Sequence, residues 1–146
     1  MEELKKNITK TLLYYDIFSH PLKTDEIFSF LPRNSIAKQD VENFLKETAS
    51  KENAPFAEKD GYYYIKPAQE NVTRRIEKEN YSLKMWKRAA LVTHLIKRFP
   101  FVRAVFVTGS LSKNSSDHTS DLDFMLITAK NRLWISRTLL MLFKKI

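Results

Sequence analysis

The chain contains no cysteine and only two glycines among its 146 residues. The absence of cysteine excludes disulfides, thiolate zinc sites and cysteine nucleophiles. No uncharged apolar run reaches the roughly 18 residues that a membrane-spanning helix needs. The first ten residues, MEELKKNITK, also lack the apolar core of a signal peptide. We therefore predict a cytoplasmic protein with no membrane segment.

Acidic residues are unevenly distributed, and none follows Asp123. Residues 1–70 carry a net charge of −2, residues 71–103 carry +7 and residues 104–146 carry +3, for a total of +8. A basic excess of this size would normally suggest nucleic acid, but most of it falls on one middle segment. That segment could bind an acidic partner, such as RNA or the phosphates of a nucleotide, or could be a solvated helix surface.

The first half of the chain shows helical apolar periods followed by a hairpin pattern. The predicted elements are helices over residues 7–18, 24–31 and 36–49 and strands over residues 56–58 and 62–65. Thr24 and Ser35 are predicted N-caps of the second and third helices. Between the strands, Asp60-Gly61 supplies the positive φ angles of a tight hairpin turn. Residues 7–66 thus resemble a winged helix-turn-helix in length and element order.

Such a module is best known for reading DNA with its third helix, whose lysines and arginines contact phosphates. In this chain the third predicted helix carries two lysines against three acidic residues. We therefore do not expect DNA binding, and we interpret residues 1–68 as a structural or partner-docking module. A winged-helix DNA-binding regulator and an antitoxin-like binding protein remain as alternatives.

A long helix is predicted over residues 69–98 and an apolar helix over residues 131–145. The apolar face predicted for the long helix comprises Val72, Ile76, Leu83, Trp86, Ala90, Leu91 and Leu95. Its basic residues are Arg74, Arg75, Lys78, Lys84, Lys87, Arg88, Lys97 and Arg98. The last helix is apolar enough to predict burial, and the chain stops directly after it. We therefore expect a C-terminally truncated chain.

Two β-rich runs, residues 102–107 and 122–128, enclose a polar loop that begins with Gly109-Ser110. Asp121 and Asp123 lie two residues apart at the second run, so strand alternation predicts both carboxylates on one face, where they could share a cation. Because the chain has only two glycines, a glycine at position 109 indicates a backbone that turns sharply or approaches a ligand closely. The alternative is an ordinary turn followed by an ordinary strand.

The order strand, Gly109-Ser110, loop, Asp121-Leu122-Asp123, strand resembles the DNA polymerase β-like nucleotidyltransferases, closest to their minimal and antibiotic-modifying members. The resemblance implies that Gly109, Ser110 and Lys113 bind the phosphates of a nucleoside triphosphate such as ATP. It also implies that Asp121 and Asp123 are catalytic ligands of Mg²⁺ in a two-metal site. In that family the Gly-Ser pair is often followed by a small residue and an arginine, where this chain has Ser112 and Lys113.

The resemblance further implies transfer of a nucleoside monophosphate to an acceptor hydroxyl on a small molecule, protein or RNA. The family usually supplies a third carboxylate from a further strand, and this chain has no acidic residue after Asp123. We therefore expect an incomplete site, in a fragment or in a degenerate domain. The predicted fold class is α+β: a winged-helix-like module over residues 1–68, then a linking helix and the first part of a nucleotidyltransferase α/β fold over residues 69–146.

Overall fold

The computed structural model describes residues 2–32 and 37–144, with side chains described to residue 142. The chain combines helices with two small antiparallel sheets and divides into two compact units, Met1–Ile76 and Glu77–Ile146. The boundary falls inside one long helix. Within the described ranges, no helix combines the length and the hydropathy needed to cross a membrane.

The first unit packs three helices against a three-stranded antiparallel sheet. Its elements are α1 (Glu2–Asp16), β1 (Leu22–Lys23), α2 (Thr24–Phe30), α3 (Lys38–Ala49), β2 (Phe56–Lys59), β3 (Tyr62–Ile65) and the start of α4 (Glu70–Ile96). The strands lie in the order β1-β3-β2. Ile8, Ile27, Val41, Leu45 and Phe56 are fully buried in one core. The amphipathic period of each helix thus faces a shared centre.

The three predicted helices of this unit are present, although α1 starts at Glu2 and not at residue 7, and α3 starts at Lys38. Thr24 was predicted as an N-cap, which is wrong, because Lys23 occupies that position and Thr24 is the first helical residue. The backbone N–H of Lys23 donates to Glu26 Oε2 at 2.8 Å, so a carboxylate in the first turn accepts from the N-cap residue. The predicted cap Ser35 and helix start Ile36 lie outside the described residues. The two-residue strand β1 was not predicted, because so short a segment has no period to detect.

The predicted hairpin is confirmed. β2 and β3 pair through Lys59 and Tyr62 next to the turn. Asp60 and Gly61 have φ angles of 53° and 81°, the left-handed values that a two-residue turn requires. The backbone N–H of Gly61 also donates to Glu58 Oε1 at 2.6 Å. Local turn chemistry therefore accounts for the turn, while the strands it joins also pack into the core of the unit.

Arg75, in the first unit, is a buried side chain and not part of a basic surface. Its guanidinium donates to the Pro21 carbonyl at 2.7 Å and to Glu26 Oε1 at 2.6 Å, and it also contacts His20 Nε2. Because a guanidinium only donates, His20 Nε2 accepts in this contact. The same guanidinium lies over the Tyr62 ring, 5.6 Å from the centroid. Grouping Arg75 with residues available to an acidic partner was therefore wrong.

The second unit builds a small core between a helix and a two-stranded antiparallel sheet. It contains the rest of α4, then β4 (Val102–Val107), a single 3₁₀ turn (Leu111–Lys113), β5 (Phe124–Thr128) and α5 (Leu133–Lys144). Val107 pairs with Phe124 where β4 ends and β5 begins. Met85, Ala89 and Leu111 are buried together, with Leu122 packed against them.

The buried stripe of α4 in this unit differs from the predicted apolar face. The predicted face included Leu83 and Leu91, which are 63% and 70% exposed, whereas Met85 and Ala89 are buried. Trp86 was predicted to be a core residue and is exposed. The helix carries apolar residues around more of its circumference than one small sheet can cover, so the pattern alone did not select the buried stripe.

The prediction that α5 is buried was wrong. Trp134 is 70% exposed, and Leu133, Met141 and Leu142 are exposed as well. The inner side of α5 lines an open groove of about 740 Å³ shared with β5 and the C-terminal part of α4. The high apolar content of α5 predicts that its surface packs against other residues. The described residues of this unit cover only part of that surface.

One face of the β4–β5 sheet is apolar and exposed. Phe106 pairs with Met125 across the ladder, and both are about half exposed, as is Ile127 further along β5. Val107 and Phe124 point to the opposite face and pack against the core of the unit. Because side chains alternate along a strand, the apolar composition of both runs leaves hydrophobic residues on each face.

Candidate functional site

The turn after β4 and the residue before β5 lie against each other because the two strands are antiparallel. The ladder continues one step beyond Val107 and Phe124, since the backbone N–H of Thr108 donates to the Asp123 carbonyl at 2.9 Å. In an antiparallel pair, the end of one strand meets the start of the next. The fold therefore brings the Gly-Ser pair and the second aspartate of the acidic pair together.

Gly109 occupies this turn with a φ of 65°, a left-handed value that favours glycine. The Asp123 side chain packs directly on its Cα. A Cβ added at Gly109 would overlap Asp123 Oδ2 and lie 3.1 Å from Asp123 Cγ. The sequence predicted a sharp turn or a close approach to a ligand; the structure has the turn, and the close approach it shows is to a side chain of the chain itself. The approaching group is a carboxylate of the candidate site itself.

The two aspartates are both exposed, with Leu122 half-buried between them and packed against the core. This alternation was predicted, although Asp121 and Asp123 precede β5, which starts at Phe124 and not at Leu122. Leu122 thus anchors the segment while its neighbours face solvent.

Ser110 is half-buried at the start of a single 3₁₀ turn. The turn ends after three residues, with Asn114 in the left-handed region at φ 51°. Ser112 Oγ donates to the Gly109 carbonyl at 2.7 Å, which closes the turn on its own backbone. Lys113 is exposed on the same turn. All five predicted site residues therefore lie on the β4–β5 connection, and Gly109 and Asp123 are in contact.

Trp86 fastens the end of this turn to α4. Its indole Nε1 donates to Asn114 Oδ1 at 2.8 Å. The single N–H of the indole is therefore used in a contact between α4 and the connection. Its role could not be assigned from the sequence, where it counted as one more apolar residue of the helix.

Asp117 organises the middle of the connection as a turn residue. The Thr119 hydroxyl donates to Asp117 Oδ1 at 2.7 Å, and the Thr119 backbone N–H and the Ser120 hydroxyl donate to the same oxygen. These hydrogen bonds lower the pKa of Asp117 to about 2, with a smaller contribution from Lys78 at 3.7 Å. Hydrogen bonding to the charged form is a direct cause of such a shift.

We expect the melting temperature of Asp117→Asn to fall below that of the parent protein at neutral pH. Because the folded-state pKa is depressed, the charged Asp117 stabilises the fold above pH 3.8, and this contribution is lost as the pH falls towards 2. The difference between the two proteins should therefore shrink between pH 4 and pH 2. Differential scanning calorimetry across this range measures it, and a difference independent of pH would contradict the assignment.

Two buried serines near the site carried no signal in the sequence. Ser82 on α4 and Ser116 in the connection are 0% and 1% exposed. Ser82 Oγ accepts the backbone N–H of Ser116 at 3.1 Å, and Ser116 Oγ lies 3.1 Å from Ser110 Oγ. The residues of the first pair are 34 positions apart. A serine with no local motif gives no indication of such a partner.

The acidic residues alone do not form a complete metal-binding cluster. In the parts of the chain that the structure describes, no group of three or more His, Cys, Asp or Glu residues could hold a metal ion. Asp121 and Asp123 provide two carboxylates with oxygen ligands of the kind that Mg²⁺ prefers, and Mg²⁺ commonly takes its remaining ligands from water and substrate phosphates. Among the described residues of this segment, the exposed carboxylates of Asp121 and Asp123 are therefore the groups that could hold such an ion.

Comparison with known proteins adds no family to this description: no family model, curated protein or solved structure matches the chain.

Proposed function

We propose that the second unit carries the phosphate- and metal-binding part of a nucleotidyltransferase site. The observation that supports this most directly is the contact between the Gly109 turn and the Asp123 carboxylate. A turn suited to phosphate and a carboxylate suited to Mg²⁺ need to be adjacent, because the metal bridges carboxylate and phosphate oxygens. The reaction is transfer of a nucleoside monophosphate from a nucleoside triphosphate, such as ATP, to an acceptor hydroxyl.

Each residue has a role that its position allows. Ser110 donates a hydrogen bond to a phosphate oxygen, and exposed Lys113 adds positive charge to the same group. Asp121 and Asp123 hold Mg²⁺ through exposed carboxylates that Leu122 keeps in place. When bound, Mg²⁺ would activate the attacking hydroxyl and neutralise the departing pyrophosphate. The protein itself mainly positions charge.

We expect this activity to be weak in the 146-residue chain, because no acidic residue follows Asp123 to complete the ligand set. Binding of Mg-ATP is therefore the better measure of the site. Robust nucleotidyl transfer by this chain would contradict the expectation of an incomplete site, although it would support the proposed class of reaction.

We further propose that the first unit is a winged helix-turn-helix used for docking and not for reading DNA. The element order α1-β1-α2-α3-β2-β3 and the sheet order β1-β3-β2 support this assignment. On α3, Lys38 Nζ lies 2.6 Å from Asp25 Oδ1, so one of its two lysines is already paired with an acid. Salt-dependent binding to duplex DNA that is lost on substitutions in α3 would favour the alternative of a DNA-binding regulator.

Mg-ATP should raise the melting temperature of the parent protein. At a tenfold excess over the dissociation constant, the gain is about 1.4 kcal/mol, or several degrees for a unit of this size. Asp121→Asn and Asp123→Asn should each abolish most of this rise. Glu77→Gln is the matched control, because it removes an exposed carboxylate from α4 in the same unit and should retain the full rise.

Either of two outcomes would contradict the proposed nucleotide site. A parent protein that shows no shift with millimolar Mg-ATP would overturn the proposed function. A shift that persists in both aspartate variants would place the nucleotide elsewhere on the chain and would equally remove the basis of the proposal.

A further inference from the structure

Three serines form a continuous hydrogen-bonded line from α4 to the Gly109 turn. Ser82 Oγ accepts the Ser116 backbone N–H, and Ser116 Oγ contacts Ser110 Oγ, each over 3.1 Å. Ser82 and Ser116 are buried, whereas Ser110 is half-buried. The line therefore begins inside the unit and ends at its surface, at the residue proposed to contact phosphate.

Apolar packing does not explain the hydroxyl of Ser82. Its position on α4 precedes Met85 and Ala89 on the stripe that packs against Leu111, where an alanine would be an ordinary choice. A buried hydroxyl is costly unless it is hydrogen-bonded, and a buried backbone N–H needs an acceptor. Ser82 meets both requirements by accepting from Ser116. This pair fixes the backbone of the connection at the point where Ser116 reaches Ser110.

Ser115, which precedes Ser116, hydrogen-bonds to the backbone of Ser110. The Ser115 backbone N–H donates to the Ser110 carbonyl at 3.0 Å, and the Ser115 hydroxyl contacts the same carbonyl at 3.3 Å. Ser115 therefore fixes the main chain of Ser110, while Ser116 contacts its side chain. The two successive serines act on different parts of the same residue.

We propose that Ser116, held in place by Ser82, is a positioning residue that orients the Ser110 hydroxyl towards the phosphate of a bound nucleotide. This inference rests on the proposed function. Phosphate oxygens accept hydrogen bonds, so Ser110 must donate its single proton to the ligand. Ser116 then donates its own proton to the Ser110 oxygen. The direction of both hydrogen bonds is fixed by the ligand, and Ser110 is left with no competing orientation.

The test is a double-mutant cycle on Mg-ATP affinity, measured by isothermal titration calorimetry. Ser110→Ala should weaken binding about tenfold, as expected for a hydrogen bond to a charged acceptor. Ser116→Ala should weaken it by several-fold. The double variant should bind no more weakly than Ser110→Ala alone, because the Ser116 hydroxyl acts only through Ser110.

Ser136→Ala is the structural control. Ser136 is 1% exposed in the same unit, and its hydroxyl donates to the Pro100 carbonyl at 3.3 Å, away from the connection. It should lower the melting temperature of the ligand-free protein and leave the Mg-ATP dissociation constant unchanged. Ser82→Ala provides a second variant that keeps both hydroxyls of the Ser110–Ser116 pair. It should weaken binding by a few-fold in the parent background and have no effect when Ser110 is alanine.

The results separate the two claims. If the parent protein does not bind Mg-ATP, the proposed function fails and this inference fails with it. If the parent binds and Ser110→Ala weakens binding, but Ser116→Ala and Ser82→Ala bind as the parent does, only the positioning role is overturned. Multiplicative losses in the double variant would also overturn it, because they would show that Ser116 acts independently of Ser110.

Discussion

Gly109→Ala is expected to lower the free energy of unfolding by about 1–3 kcal/mol and to abolish the response to Mg-ATP. A non-glycine residue at the observed φ of 65° costs about 1–2 kcal/mol. The new methyl group would also overlap the Asp123 carboxylate, and because this side chain is exposed and can rotate away, relieving the overlap should add no more than about 1 kcal/mol, the lower end of the cost of overpacking a core. The carboxylate must move away from the turn, so the proposed metal ligand is displaced. Urea unfolding followed by circular dichroism and the Mg-ATP thermal shift measure the two effects.

Gly61→Ala is the matched control, because it isolates backbone strain. Gly61 has a φ of 81°, also left-handed, but a Cβ placed there meets no atom within 4 Å. Gly61→Ala should therefore lower the free energy of unfolding by about 1–2 kcal/mol from backbone strain alone. The response to Mg-ATP should be intact. Equal losses at the two glycines, or an unchanged Mg-ATP response in Gly109→Ala, would show that the contact with Asp123 has no consequence.

Arg75→Met should destabilise the first unit by about 2–4 kcal/mol. The substitution leaves the Pro21 carbonyl and the Glu26 carboxylate without the guanidinium that binds them. Breaking a buried ion pair typically costs about 3–5 kcal/mol, and the value is reduced here because the Glu26 side chain is 32% exposed. Urea unfolding monitored by tyrosine fluorescence measures the change, since five of the six tyrosines lie at or before residue 64.

Arg74→Met is the control for charge and helix propensity. Arg74 adjoins Arg75 on α4 but is exposed, so its substitution should change the free energy of unfolding by no more than about 0.5 kcal/mol. The loss of unfolding free energy in Arg75→Lys should lie between those of Arg74→Met and Arg75→Met. Lysine keeps the charge but not the planar guanidinium that reaches several acceptors. Similar losses in Arg74→Met and Arg75→Met would contradict a specific role for the buried guanidinium.

Features set by neighbouring residues could be predicted from the sequence. The hairpin turn follows from Asp60-Gly61, and β4 has the predicted bounds because its apolar run is closed by a polar turn. The placement of Asp121 and Asp123 on either side of a core residue also follows from local alternation. In each case the determining contacts lie within a few residues, where spacing translates directly into geometry.

Features set by distant contacts could not be predicted. Arg75 and Glu26 are 49 residues apart, and nothing near either residue marks it as buried. The exposure of α5 likewise depends on how much surface the described parts of the unit can cover, a property that no helical period encodes. The contact of Asp123 with Gly109 is intermediate: both residues were singled out, but only the antiparallel register places one on the other.

The two-stranded sheet has a consequence for the behaviour of the protein in solution. Within the described ranges, β4 and β5 pair only with each other, so each has one edge that is not paired with a strand. Phe106 and Met125 add an exposed apolar surface beside those edges. Such an edge can act as a template for strands from other molecules. Reversible self-association through this sheet would strengthen with kosmotropic salts and weaken on cooling, as hydrophobic contacts do.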